Sequence, residues 1–73
     1  MMLDVYDEGK MGLLVPFREA VEMKAERKFR LFIPLKFLTF QVAGGGVTYY
    51  VKYKIGTDEF IHAKVYLPLE HTG

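Results

Sequence analysis

Gly44, Gly45 and Gly46 stand in a row between two apolar-alternating segments, and their type and spacing restrict what this chain can do more than any other residues. Three consecutive residues without a Cβ take positive φ at little cost and let backbone approach a partner surface closely, so they mark a turn. Nucleophilic catalysis needs a Ser, Cys or Thr activated by a base and oriented by a third group. The chain has neither Ser nor Cys, and Thr39, Thr48, Thr57 and Thr72 have no His and carboxylate arrangement near them in sequence. The carboxylate pair Asp58-Glu59 falls in a solvated turn, where little shifts an ionisation. His62 and His71 without any Cys do not make a metal site. Neither catalysis nor a cofactor is expected.

The elements that position the glycines follow from periodicity. Pro16 suits the first turn of a helix, where a missing N–H costs nothing, so a helix is predicted from near Val15 to Lys28. Phe17, Ala20 and Val21, with the stems of Lys24 and Lys28, fall on one face of it. Glu22 and Glu26, with Arg18, Lys24 and Arg27, read as solvated charges. After Phe29 the period changes to two, and a long strand is expected over about Leu31 to Val42, bent at Pro34, which cannot donate to a ladder. A hairpin closes at Gly44 to Gly46. The next strand turns Val47, Tyr49, Val51, Tyr53 and Ile55 inward and ends at Gly56-Thr57-Asp58-Glu59. The last puts Ile61, Ala63, Val65 and Leu67 on one face and Phe60, His62, Lys64 and Tyr66 on the other. The plan is a single α+β domain over residues 1–73, one helix against three antiparallel strands, preceded by a flexible segment over residues 1–12.

Composition narrows the partners. Seventy-three residues hold one core, and 51% hydrophobic content is enough to form it. Ten Lys and Arg against nine Asp and Glu leave a formal charge of +1, which argues against a nucleic-acid partner. Tyr50 and Tyr66 are the tyrosines left on outward positions, while Tyr49 and Tyr53 are needed as core, so an aromatic platform for single strands is not expected. A chain that folds without disulfides suits a reducing, cytoplasmic location. The acidic start at Asp4, Asp7 and Glu8 does not read as a signal peptide, and no apolar run reaches the roughly 20 residues a membrane crossing needs.

The motifs also carry a resemblance. Gln41-Val42-Ala43-Gly44-Gly45, followed by Tyr49-Tyr50-Val51-Lys52, resembles the stefin (type 1 cystatin) signature, in which a Gln-Val-Val-Ala-Gly loop leads into a Tyr-Tyr-Ile-Lys strand. Gly56 to Tyr66 is similar to that family's next turn and strand, and Lys28-Phe29 with Leu31-Phe32 to its helix exit. The likeness runs from about Val15 to Leu69. The loop has one Val fewer than the family pattern; aligned on Ala43-Gly44 instead, Phe40 takes the glutamine position. The glycine usual near the family's N-terminus is absent, leaving Gly9 or Gly12 to serve.

The resemblance implies a cystatin-like fold and reversible inhibition of papain-like cysteine proteases of the cathepsin class. Carried over by position, the wedge entering the protease cleft is Gln41, Val42, Ala43, Gly44 and Gly45, with Leu67, Pro68 and His71 as a second contact loop. The family's final strand has no counterpart before Gly73. A sheet without it leaves an open edge, from which dimerisation or strand exchange is expected. The competing expectation is a non-inhibitory module that dimerises or pairs strands through that edge.

Overall fold

A computed structural model describes residues 1–68 of the chain. Strand β1 (Leu3–Asp4) is followed by a helical stretch made of α1 (Met11–Leu14), a 3-10 turn (Val15–Phe17) and α2 (Arg18–Ala25). Strands β2 (Ile33–Gln41), β3 (Val47–Gly56) and β4 (Glu59–Leu67) complete an antiparallel sheet of order β1-β2-β3-β4. The helix packs on one face, giving an α+β arrangement consistent with a cystatin-like fold.

Helical structure begins at Met11 and stops at Ala25, earlier at both ends than the predicted Val15 and Lys28. The Lys10 carbonyl accepts the N–H groups of Leu13 and Leu14, nucleating a turn ahead of Pro16. At the other end Glu26 takes a left-handed conformation, φ 58°, as the C-cap, and the Arg27 N–H returns to the Glu22 carbonyl. This reversal is the usual way a helix satisfies its last carbonyls, although glycine takes the position at lower cost. The helical face turned inward is Leu14, Phe17, Val21 and Ala25; Ala20 and Lys24, expected on it, are exposed.

Residues 1–12, expected to be a flexible segment, contain β1 and the first two residues of α1. Leu3 pairs with Phe37 and Asp4 with Lys36, and the buried Val5 donates its N–H to the Leu35 carbonyl at 2.9 Å. A two-residue strand is too short to show a period, so composition could not reveal it.

Strand β2 bends where Pro34 predicts. The pairing passes from Pro34↔Tyr53 to Lys36↔Lys52, leaving Leu35 as an extra residue opposite no partner. A bulge of this kind shifts the side-chain alternation by one. Phe32 and Pro34 are buried before it, and Phe37 after it. Leu31 donates its N–H to the Ile55 carbonyl, so the chain meets β3 two residues before β2 is counted.

The inward face of β3 is as patterned: Tyr49, Val51, Tyr53 and Ile55 are buried, and with Phe37, Val5, Leu14 and Val21 they make the core. Phe29, Phe32 and Tyr53 form a stack, with ring centroids 6.0 and 4.0 Å apart. A fully buried side chain of this size contributes about 1.5 to 3 kcal/mol relative to exposure. The Tyr53 hydroxyl donates to the Leu14 carbonyl at 2.8 Å, joining sheet to helix through the core.

Candidate functional site

The hairpin between β2 and β3 closes on the Gln41↔Val47 pair. Gly44, Gly45 and Gly46 all have positive φ, at 94°, 114° and 87°, a run open only to glycine. Inside the loop Gly45 donates its N–H to the Val42 carbonyl at 2.9 Å, and Val42 to the Gly46 carbonyl at 3.4 Å. Gln41, Ala43 and Gly44 are exposed, while Val42 and Gly45 are half-buried. No residue from Gln41 to Val51 carries a charge, so the loop presents backbone and small apolar surface.

Leu67 lies on the same rung, paired with Val47 on its other side. Gln41 and Leu67 thus flank Val47 across two strand spacings, roughly 10 Å. Pro68 follows directly, half-buried. Seven of the eight residues anticipated from the sequence therefore gather at one end of the sheet: Gln41, Val42, Ala43, Gly44 and Gly45 in one loop, Leu67 and Pro68 beside it. His71 lies outside the described residues. Strand β1 runs antiparallel to β2, so from the Leu3↔Phe37 pair Met2 and Met1 lead toward Thr39 and Gln41, the same end.

Two further residues support the loop. A Cβ on Gly46 would lie 2.7 Å from both the Leu67 carbonyl oxygen and the Tyr66 hydroxyl, whereas one on Gly44 would meet nothing within 4 Å. The Tyr66 hydroxyl donates to the Gly45 carbonyl at 3.2 Å. Tyr66 reads in the sequence as one more outward strand residue; only the Thr48↔Tyr66 register sets its ring under the hairpin.

The charges around the helix exit serve the scaffold. Glu22, read from the sequence as a solvated charge, is only 8% exposed. Its carboxylate accepts the Phe29 N–H at 2.9 Å and the Arg18 Nε–H at 3.1 Å, with Lys28 Nζ 3.9 Å away. Arg18 also donates to the Phe29 carbonyl. The Phe29 N–H first, then Arg18 and Lys28, hold the Glu22 carboxyl below its usual range against the opposing effect of desolvation. Among the described residues no three His, Cys, Asp or Glu side chains converge as metal ligands, and no helix is long and apolar enough to cross a membrane.

This geometry coincides with a likeness in sequence. The chain is 35% identical over 54 residues to Cystatin-B of Pan troglodytes, a match covering 74% of this chain and 53% of that protein. Cystatin-B is a stefin, and the motifs around Gln41 to Gly45 and Tyr49 to Lys52 resemble the same family: the chain is stefin-like in sequence and cystatin-like in fold. It spans about half the length of the curated relative it matches. No protein-family model and no solved structure matches it.

Proposed function

We propose that this chain is a reversible inhibitor of papain-like cysteine proteases, the cathepsin class included, acting by insertion of the Gln41 to Gly45 hairpin into the active-site cleft. The observation that carries this reading is the meeting of that uncharged, glycine-bearing loop with Leu67 and Pro68 at one end of the sheet, in a chain similar to Cystatin-B. Leu67, Pro68 and His71 provide the second contact. The loop brings backbone toward the catalytic Cys and His of the protease without offering a peptide bond in attack geometry, so the cleft is filled and nothing is cut. A hairpin anchored in a sheet has little freedom left to lose on binding, which favours affinity from a small surface. The chain itself performs no reaction, and a cysteine-free domain of this kind suits the reducing cytoplasm.

Titration of papain with the purified protein tests the reading. Stoichiometric loss of peptidase activity supports it, and full activity at micromolar inhibitor overturns it. Replacing Gly44 and Gly45 with bulky residues is expected to abolish the inhibition.

One observation favours a second reading, a non-inhibitory module that self-associates or adds a strand from another protein. The outer edge of β4 pairs with no strand among the described residues, and a groove of about 360 Å³ lies beside it between α2 and β4, walled by Ala20, Val21, Ala25, Ile61 and Ala63. A dimer in sedimentation that survives the Gly44 and Gly45 replacements, without any effect on papain, would select this reading.

A further inference from the structure

We propose that the open face of the sheet, opposite the helix, binds single-stranded nucleic acid, independently of the protease reading. A whole-chain charge of +1 argues against such a partner only if the charges are evenly spread, and they are not. The outward positions of β2, β3 and β4 bring together Lys36, Lys52, Lys54 and Lys64, with His62 beside them; Lys36, Lys52 and His62 share one rung. No acidic residue occupies an outward position on these three strands. Asp4 on β1, 3.5 Å from Lys36 Nζ, is the acid at the margin.

The same face carries aromatic rings between the cations. Phe40, Tyr50, Phe60 and Tyr66 are each about half exposed, at 51, 42, 48 and 50%. Tyr50 sits on a rung with Lys64, and Tyr66 on the rung of Phe40. Phe40 and Tyr50 meet edge to face at 6.0 Å, and Lys52 Nζ lies 4.8 Å from the Phe60 ring centre, so these three rings neighbour one another or a cation while staying about half exposed. Alternate residues on a strand are roughly 6.6 Å apart, which interleaves rings and ammonium groups along one line. Stacked rings beside positive charge are how sheet surfaces hold single strands: each base offers a π-face and each phosphate a negative charge. An acidic peptide satisfies the lysines and leaves the half-exposed rings unused, which is why the nucleic acid is the better fit.

The test is fluorescence anisotropy of the full chain with a labelled oligothymidylate of about 12 nucleotides. Saturable binding is expected, with a log–log salt slope of roughly −2 to −3 for three or four neutralised phosphates. Lys52→Glu combined with Lys64→Glu is expected to weaken it by about tenfold or more. Tyr50→Ala should weaken it about fivefold, with an unchanged circular dichroism spectrum; if that variant does not fold, Phe40→Ser is read in its place. Absence of saturable binding overturns the proposal. It is equally overturned if the aromatic variant binds as the parent does and polyglutamate competes as well as the oligonucleotide, since the face is then a polyanion site without base stacking.

Discussion

The hydroxyl of Tyr66 on β4 donates to the carbonyl of Gly45 at the tip of the β2–β3 hairpin, 3.2 Å away, crossing from the last strand to the loop of its neighbours. The loop is thereby held from the side as well as from its two ends. Tyr66→Phe removes this bond and little else; because the group is exposed, the cost in stability is about 0.5 kcal/mol, read by urea denaturation. Amide exchange within residues 42–46 is expected to speed up more than exchange in the centre of β3.

Gly46 and Gly44 should respond differently to the same change. Gly46→Ala places a methyl 2.7 Å from a backbone oxygen at a φ of 87°, so strain and collision add, and a loss of about 2 to 3 kcal/mol is expected. Gly44→Ala meets open space and suffers the conformational strain alone, about 1 kcal/mol. Thermal unfolding of the two variants side by side checks the order.

Glu22 makes stability depend on pH in the acid range. Its carboxyl is held below the ordinary glutamate range in the folded chain, chiefly by the Phe29 N–H. A group with a depressed folded value stabilises the fold above its unfolded value, and that contribution is lost as pH falls through the folded one. As pH falls below about 4.3, the ordinary glutamate value, the parent should therefore lose stability more steeply than Glu22→Gln, which keeps an acceptor for Phe29 but does not titrate. Equal slopes in urea midpoints from pH 6 to pH 3 would refute this, about three pH units being wide enough to span the transition.

Tyr53 is fully buried, and burial pushes its phenol above the ordinary range, so at neutral pH it is a donor. Tyr53→Phe keeps the ring in its stack with Phe32 and leaves the Leu14 carbonyl without its partner. An unsatisfied buried acceptor costs about 1 to 3 kcal/mol, measurable as a lowered urea midpoint with an unchanged slope.

The parts of this molecule that were legible beforehand are those written in local sequence. Strands β3 and β4 alternate without interruption, and three glycines fix the hairpin, so both the sheet and the end of it that gathers Gln41, Gly45 and Leu67 could be foreseen. What stayed hidden depends on pairings between distant residues. Glu22 looks like any helical surface charge until Phe29 folds back seven residues later and offers its N–H. Leu3 and Asp4 have no period of their own and become a strand only because Phe37 and Lys36 are there to pair with. The bulge at Leu35 could be suspected from Pro34, yet which residues it turns inward could not, since shifting the alternation by one exchanges the two faces. The basic surface was concealed by arithmetic: a balanced total says nothing about which side of a sheet the charges occupy.

The pairing of Leu3 with Phe37 and the hydrogen bond from Tyr53 to Leu14 have a bearing on how the chain assembles during synthesis. The first strand leaves the ribosome more than thirty residues ahead of its partner, and the Leu14 carbonyl 39 residues ahead of its donor. The first contact waits for β2 and the second for β3. A chain whose early segments wait for late ones folds slowly for its size, and the helix and β1 spend that interval with their apolar sides uncovered. The first strand and the helix therefore reach their native packing only once β2 and β3 are available to receive them.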